Sequence, residues 1–500
     1  MVRARMSAAI AFNNSYAELP ARFFARVHPT KVRQPRIIRV NHALARLLGL
    51  DPALLDSPEG AQLLSGNVVP EGAASIALAY AGHQFGGFVP QLGDGRAILL
   101  GEVLGTDGVR RDIQLKGAGP TPYSRRGDGR AALGPVLREY VVSEAMAALG
   151  VPTTRALAAV ATGETVIRDQ PLPGAVLTRV ARSHLRVGTF EYFAARDDRE
   201  GLKTLTAYAL ARHYPLATEP GAPARNQALR LLECVAEAQA SLIAQWLGIG
   251  FVHGVMNTDN SSISGETLDY GPCAFLDEYN PQKTFSSIDS GGRYAFGNQP
   301  RIGQWNLARL AETVLPLISD DEKEAARLAQ ERLEQFPARF EAAHARVMRG
   351  KLGLESEQAG DPALVAELLR ALAANHVDYT VFFRTLCDAA EDPAADARVA
   401  ALYQTPEVFH SFAALWRRRL QQESTAPALR AQAMRRANPA FIPRNHRIEQ
   451  AIVAGIGGDF KPFDTLVEVL GRPYDEQPEF AYLAEPPLPE ERVRATFCGT

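Results

Sequence analysis

The stretch HGVMNTDNSSISGETLDYG, residues 253–271, decides how the rest of this chain is interpreted. Asn260 and Asp269 flank the segment SSISGETL, for which we predict two short strands around a turn at Ser264-Gly265. Such a hairpin would bring its two ends together, so that an amide oxygen and a carboxylate could bind one hard cation. Oxygen ligands of this kind suit Mg²⁺ or Mn²⁺. The stretch therefore predicts a metal site, although an Asn-initiated turn and a solvated Asp would produce the same pattern.

The same residues resemble the catalytic and metal loops of kinases. Asp269 in DYG stands where the kinase D-F-G motif has its metal-binding Asp. Small-molecule kinases have a catalytic Asp in H-G-D-x-x-x-x-N, and Val255 holds that position here. Asp259 is the carboxylate available between His253 and Glu266, so it is the candidate general base, with a role as metal ligand as the alternative. We interpret His253 as a structural residue that bonds backbone carbonyl groups.

A lysine and a glutamate provide a second indication of this class. Lys116 ends the apolar run DIQLK, as does the kinase strand lysine that holds phosphates. Its expected partner is Glu139 on the following helix. An acid favoured by the dipole of that helix is an equally simple explanation for Glu139.

Two glycine-bearing loops are candidates for close contact with a ligand. Gly93 and Gly95 precede a strand in LGDGR, and Arg96 adds a positive charge. Asp128 and Gly129 lie in the second loop, RRGDGRAA. Neither loop has the full G-x-G-x-x-G pattern, and a solvated turn is the alternative for the second.

Arg179 and Arg186, in TRVARSHLRVG, are candidates for a phosphate clamp, because a guanidinium presents a fixed fork of donors to an oxyanion. A solvated face is the alternative for a run that contains several arginines.

The hydrophobic pattern predicts a small sheet followed by a helical region. RAILLGEVL (96–104) and RRDIQLKGAG (110–119) are predicted to form an antiparallel pair around an Asp107-Gly108 turn. Next come a helix in ALGPVLREYVVSEAMAALG, three strands in ALAAVAT, ETVIRD and GAVLTRVA, and a long helix that ends at GIG. The half beyond residue 300 is predicted to be mainly helical. We therefore predict an α+β, protein-kinase-like two-lobed fold with a small antiparallel-sheet N-lobe and a helical C-lobe.

We divide the chain into four segments. These are an N-terminal extension (1–80), an N-lobe (81–195), a C-lobe with the catalytic and metal loops (196–320), and a helical C-terminal region (321–500) with a Cys-bearing tail. With 46% hydrophobic and 22% charged residues, the chain is typical of a well-packed globular protein. Its net charge of -2 gives no field that would attract nucleic acid or a membrane surface, and no apolar run is long enough to span a bilayer. We expect a cytoplasmic monomer that binds neither.

Several motifs together are highly specific. LGDGRA, KGAGPTPYSR, HGVMNTDN and LDYGPCAFLDEYNP resemble the selenoprotein O family of protein adenylyltransferases, which are often described as pseudokinases. The resemblance extends from NSYAELP, near residue 14, to the cysteine near the C-terminus.

This resemblance implies an activity. Members of the family bind ATP in an orientation flipped relative to kinases and transfer AMP to Ser, Thr or Tyr hydroxyl groups of proteins. UMP transfer from UTP, with Mn²⁺, is also attributed to them. Carried onto this sequence, the resemblance makes Asp259 the proton acceptor and makes Asn260 and Asp269 the ligands of Mg²⁺ or Mn²⁺.

The nucleotide contacts are carried over in the same way. They fall on Gly93, Gly95, Arg96, Lys116 with Glu139, Asp128, Gly129, Arg179 and Arg186, and the last two are assigned to the distal phosphate.

The C-terminal tail departs from the family pattern. Several relatives carry selenocysteine or paired cysteines there, with a disulfide reported as regulatory, whereas the tail CGT of this sequence has the single Cys498. Cys273, four residues past Asp269, is a conceivable partner for Cys498.

Two other functions fit the same residues. One is a conventional phosphotransferase that moves the γ-phosphate and uses Asp259 in place of the missing Asp, although Asp259 is displaced by four residues along the loop. The other is a nucleotide-binding scaffold without turnover.

Overall fold

The computed structural model of the protein describes residues 10–217 and 222–497. The architecture is α+β, with an antiparallel sheet in the first 181 residues and helices in most of the remainder. The strands are β1 (Phe24–Arg26), β2 (Arg36–Val40), β3 (Ile76–Leu78), β4 (Gly82–Gln84), β5 (Gly87–Val89), β6 (Ala97–Leu104), β7 (Arg110–Lys116), β8 (Ala131–Ala132), β9 (Arg155–Ile167), β10 (Pro171–Ala181), β11 (Phe251–Val252) and β12 (Ala274–Phe275).

The main sheet has 8 strands in the order β1-β3-β6-β7-β10-β9-β2, with β8 beside β10. The pairs β4–β5 and β11–β12 form two small separate ribbons. The predicted hairpin of β6 and β7 is confirmed, and its register pairs Ala97 with Lys116. At its turn, the Asp107 carboxylate accepts a hydrogen bond from the Val109 amide at 3.1 Å. This register carries Lys116 to the end of the sheet near Asp269, whose carboxylate lies 3.5 Å from the lysine nitrogen.

The prediction of three strands between 156 and 181 is wrong in one respect. ALAAVAT and ETVI belong to a single strand, β9, which runs through Gly163 without ending. Gly163 has a φ of +70°, a conformation that glycine adopts without steric cost, so the strand bends there and continues. Its partner β10 absorbs the irregularity between Pro173 and Ala175.

Most of the helices in the described residues follow residue 186, and the first four precede it. They are α1 (His42–Leu47), α2 (Pro52–Leu55), α3 (Pro58–Leu64), α4 (Leu133–Ala148), α5 (Val187–Ala194), α6 (Arg199–His213), α7 (Ala224–Ile249), α8 (Gln299–Ile318), α9 (Glu322–Leu333), α10 (Phe336–Leu352), α11 (Asp361–Ala374), α12 (Tyr379–Glu391), α13 (Asp396–Ala400), α14 (Pro406–Leu420), α15 (Pro427–Ala437), α16 (Asn445–Ile456) and α17 (Lys461–Leu470). The helix predicted in ALGPVLREYVVSEAMAALG is α4, and the long helix predicted to end at GIG is α7.

The first 80 residues are integrated into the sheet. Strand β1 pairs with β3, β3 pairs with β6, and β2 pairs with β9 at the opposite edge. The division at residue 80 stays a prediction, but strands from this segment close both edges of the sheet.

The C-terminal helices α16 and α17 pack against α4. The rings of Tyr140 and Phe463 meet edge to face, with centroids 5.5 Å apart. Leu137 and Ile452 belong to the same buried cluster, and Arg138 forms an ion pair with Glu449. The helix that carries Glu139 is therefore held by the sheet on one side and by the C-terminal region on the other.

In the part of the chain that the structure describes, no helix combines the length and the apolar character needed to cross a lipid bilayer.

Candidate functional site

A cleft of about 790 Å³ lies between the sheet and the loop 255–272. The predicted site residues that line it are Gly93, Gly95, Arg96, Lys116, Asp128, Gly129, Arg179, Arg186, Asp259, Asn260 and Asp269. Glu139 does not line the cleft, but it forms ion pairs with Lys116 and Arg179, which do. The structure thus brings together residues that are up to 176 positions apart in the sequence.

A network of cations and carboxylates forms the floor of the cleft. Lys116 Nζ lies 2.6 Å from Glu139 Oε2, and Arg179 Nη2 lies 2.6 Å from Glu139 Oε1. The same Arg179 nitrogen lies 2.6 Å from Asp269 Oδ1, and Arg186 Nη2 lies 3.3 Å from Asp269 Oδ2. Both arginine side chains are only 2% exposed. The predicted Lys116–Glu139 contact is present in the structure, and it is one part of a larger buried network.

This network fixes the charge of Asp269. Burial opposes ionisation of its carboxyl group, but Arg179, Lys116 and Arg186 outweigh burial and hold the pKa of Asp269 well below its usual range. The side chain is 21% exposed, so this ionised carboxylate reaches the surface of the cleft.

His253 positions the residue before Asp269. Its Nε2 and the Leu268 carbonyl oxygen are 2.9 Å apart, and its Nδ1 accepts a hydrogen bond from the Val255 amide at 3.4 Å. The ring is 1% exposed, and burial lowers its pKa. This contact agrees with the structural role predicted for His253.

The predicted hairpin in SSISGETL is wrong. Ser262 forms a bridge with Arg186, and Thr267 forms a bridge with Thr153, so each half of the segment pairs with a distant part of the chain. The turn at Ser264-Gly265 remains. Asn260 and Asp269 both reach the cleft because the segment is anchored at its two bridges.

Asp259 lies in a short 3-10 turn, Thr258–Asn260, and is 9% exposed. Its Oδ2 accepts a hydrogen bond from Gln84 Nε2 at 3.1 Å. Its Oδ1 is buried and has no hydrogen-bond partner among the described residues. Burial raises the pKa of Asp259 to about 6, which makes this carboxylate a stronger base than an ordinary Asp.

Asn260 and Asp269 fit a divalent cation that also contacts a ligand. The Asn260 amide nitrogen donates to the Val255 carbonyl oxygen at 3.1 Å, which orients the amide group. Among the described residues, no cluster of three or more His, Cys, Asp or Glu side chains could hold a metal by itself. Mg²⁺ is often bound by one or two protein oxygens together with substrate phosphates, so this small donor set suits it.

The glycines of LGDGR are required by packing within the protein. A Cβ atom on Gly93, whose φ is +97°, would lie 2.4 Å from the Tyr123 ring. A Cβ atom on Gly95 would lie 2.9 Å from the Tyr123 carbonyl oxygen. Both glycines line the cleft, and they let the loop that contains Tyr123 close over it.

Asp128 also has a partner within the protein. Its carboxylate accepts two hydrogen bonds from Arg168, at 3.0 and 3.1 Å. The pKa of Asp128 is lowered, chiefly by these hydrogen bonds. Asp128 therefore joins its loop to the end of β9, and Gly129 lies beside it in the cleft wall.

Sequence reasoning missed several residues of the cleft. Asp94 is 2% exposed, and its Oδ1 lies 3.6 Å from Arg186 Nη1. Tyr80 stacks under the same guanidinium at 4.4 Å. Asp94 could have been chosen because it lies between Gly93 and Gly95, whereas nothing near Tyr80 or Gln84 in the sequence indicates their partners.

The arrangement suits an anionic ligand. Seven cationic side chains line the cleft against four carboxylates: Arg96, Lys116, Arg125, Arg130, Arg168, Arg179 and Arg186 against Asp94, Asp128, Asp259 and Asp269. Cations of this density attract phosphates. The cleft therefore has the charge expected of a phosphate-binding site.

Comparison with known proteins identifies the family. A family profile described as "Protein adenylyltransferase SelO" matches residues 7–471. The chain therefore belongs to the SelO family.

Three curated relatives are each named "Protein nucleotidyltransferase YdiU". One from Methylorubrum extorquens is 60% identical, over 99% of this chain and 100% of its own length. One from Rhodopseudomonas palustris is 61% identical, over 98% and 99%. One from Bradyrhizobium diazoefficiens is 59% identical, over 98% and 99%.

Proposed function

We propose that this protein is a metal-dependent nucleotidyltransferase that moves AMP from ATP to Ser, Thr or Tyr hydroxyl groups of proteins and releases diphosphate. Membership of the SelO family supports the reaction class. The observation that carries the proposal is the meeting, in one cleft, of the Asp259 carboxylate with the network of Lys116, Arg179, Arg186 and Asp269.

Asp259 is the proposed general base. The acceptor oxygen forms a bond to the α-phosphorus, the bond from that phosphorus to the leaving diphosphate breaks, and the hydroxyl proton moves to the Asp259 carboxylate. The buried environment that raises the pKa of Asp259 strengthens its affinity for that proton.

The cations of the cleft bind the triphosphate. Lys116 and Arg179 are held by Glu139, so they are positioned before the ligand arrives and lose little freedom when it binds. We assign Arg179 and Arg186 to the distal phosphate, with Arg96, Gly93, Gly95, Asp128 and Gly129 as the remaining nucleotide contacts.

Asn260 and Asp269 would hold Mg²⁺ or Mn²⁺, which neutralises charge on the phosphates when it is bound. UTP in place of ATP, with transfer of UMP, belongs to the same proposal. The protein-kinase-like two-lobed fold, the four-segment division, a monomeric state and a cytoplasmic location are also proposals. The sheet followed by helices, with the cleft between them, supports the first of these.

The test is to incubate the protein and a mixture of acceptor proteins with ATP labelled at the α-phosphate or at the γ-phosphate, with Mg²⁺ and then with Mn²⁺. We expect protein-bound label from the α-phosphate alone. Asp259→Ala should lower it to a small residual level, whereas Asp475→Asn, at an exposed position outside the cleft, should leave it unchanged.

The alternatives give different results. Label from the γ-phosphate would support a conventional phosphotransferase and overturn AMP transfer. ATP binding with no label from either position would support a nucleotide-binding scaffold.

A further inference from the structure

The ribbon of β4 and β5, residues 82–89, lies over the loop 255–272, here called the catalytic loop, and contacts Asp259 directly. Gln84 Nε2 donates a hydrogen bond to Asp259 Oδ2 at 3.1 Å, and both side chains line the cleft. We propose that Gln84 is a positioning residue that fixes the orientation of the Asp259 carboxylate for proton transfer. This inference rests on the proposed function and adds a specific role for the ribbon.

The two carboxylate oxygens of Asp259 have different surroundings. Oδ1 is buried against Gly82, where a Cβ atom would come within 2.8 Å of it. Oδ2 is thus the oxygen that can receive a proton from a hydroxyl group in the cleft. A carboxylate oxygen accepts more than one hydrogen bond, so Gln84 can hold Oδ2 while a hydroxyl approaches it.

A buried network holds the ribbon in place. The His83 amide donates to Thr258 Oγ1 at 2.6 Å, and Thr258 Oγ1 donates to Glu191 Oε2 at 2.5 Å. His83 Nδ1 lies 2.5 Å from the other oxygen of Glu191. Glu191 is 4% exposed, so the ribbon, the catalytic loop and helix α5 share one buried carboxylate.

The next residue of the ribbon is fixed as well. The Phe85 amide donates to Asn257 Oδ1 at 3.0 Å, and Tyr294 Oη donates to the same oxygen at 2.6 Å. Gln84 therefore lies between two residues whose backbone amides are bound to the catalytic loop. This arrangement restricts the Gln84 side chain and, through it, the carboxylate of Asp259.

The amide of glutamine donates a hydrogen bond and does not take up a proton at neutral pH. Gln84 therefore acts through Asp259. Removing its amide should leave nucleotide binding intact, because the side-chain hydrogen bonds described for Lys116, Arg179 and Arg186 go to other residues, namely Glu139, Gln114, Asp269 and His184. It should slow the chemical step, because loss of alignment at a reacting group costs roughly 10- to 100-fold in rate.

The experiment compares Gln84→Met with Gln91→Met. Methionine keeps the length of the side chain and removes the hydrogen-bond donor. Gln91 is an exposed glutamine that follows the ribbon by two residues and does not line the cleft. With α-labelled ATP, we expect Gln84→Met to lower kcat roughly tenfold or more while the KM for ATP stays within about twofold. Gln91→Met should match the unaltered protein, and a thermal melt verifies that both variants are folded.

A double-mutant cycle separates positioning from a general effect on structure. In the Asp259→Asn background, Gln84→Met should lower the residual rate by less than about twofold, because its effect passes through Asp259. A full tenfold loss in that background, or a rise in KM with unchanged kcat, would overturn the proposal.

A second measurement does not depend on activity. The ¹³C signal of the Asp259 side-chain carboxyl, assigned by its absence in Asp259→Asn, should shift in Gln84→Met and stay unchanged in Gln91→Met. If the unaltered protein transfers no label, the proposed function fails and this signal decides the contact alone. An unshifted signal in Gln84→Met would then overturn the inference.

Discussion

The guanidinium of Arg179 lies 2.6 Å from the carboxylate of Glu139. Glu139 belongs to helix α4 and does not line the cleft. The same guanidinium reaches Asp269, so the sheet, helix α4 and the loop 255–272 meet at one buried cation. Removing one carboxylate from such a network leaves the buried cations with less compensating charge.

Glu139→Gln should therefore weaken ATP binding and lower stability. Lys116 and Arg179 would keep Asp269 as a partner but lose the carboxylate that positions them. We expect ATP affinity to fall roughly tenfold and the free energy of unfolding to fall by roughly 3 kcal/mol. Calorimetric titration and chemical denaturation measure the two effects. Glu144→Gln, on the same helix but paired with Arg155, is the control that should alter stability alone.

Glu266 makes stability depend on pH. Burial raises its pKa to about 7 from an ordinary value of 4.5. Between these values the folded chain keeps a proton that the unfolded chain releases, so this group makes stability fall as the pH rises from about 4.5 to 7. Glu266→Gln should remove this fall and raise stability by roughly 1 to 3 kcal/mol at pH 8. Thermal melts from pH 5 to 8 measure this dependence, with Glu479→Gln, at an exposed position, as the control. Parallel curves of melting temperature against pH for Glu266→Gln and the unaltered protein would contradict the prediction.

Lys351 gives the opposite slope. It is 3% exposed and its Nζ lies 4.0 Å from the centre of the Phe383 ring. Burial lowers its pKa to about 7 from 10.5, so between these values the unfolded chain binds more protons and stability rises with pH. Lys351→Met should stabilise the protein by roughly a few kcal/mol at pH 6 and by less at pH 9, after the lost cation–π contact is included. A stabilisation that is equal at both pH values would contradict the assignment.

The suggested bridge between Cys273 and Cys498 stays a prediction, because Cys498 lies outside the described residues. The last described part of the tail supports a test. Thr496 Oγ1 donates to the carbonyl oxygen of Pro272, the residue before Cys273, at 2.6 Å. Protein isolated without reductant should have a mass about 2 Da lower than the reduced protein, and Cys498→Ser should abolish that difference. Recovery of both thiols in alkylatable form would count against the bridge.

The sequence predicted those parts of the site that depend on a single strand, helix or turn. Lys116 follows from an apolar strand and Glu139 from the helix after it, so their meeting could be anticipated from the order of the elements. The hairpin of β6 and β7 followed from Asp107-Gly108, a turn that two residues determine between them.

Contacts between distant segments explain what the sequence did not reveal. The SSISGETL segment satisfies its backbone through Arg186 and Thr153, and no local pattern records those partners. Gly93 has no room for a Cβ atom because the ring of Tyr123, 30 residues further along the chain, lies against it. Gln84 meets Asp259 across 175 residues, and only the folded structure reveals that pair.

The packing of α16 and α17 on helix α4 has a consequence for biosynthesis. Leu137, Tyr140 and Arg138 find their partners in residues 445–470, close to the end of the chain. The helix that carries Glu139 cannot complete its packing until those residues have left the ribosome. Residues near the end of the chain therefore complete the packing of the helix whose carboxylate holds Lys116 and Arg179.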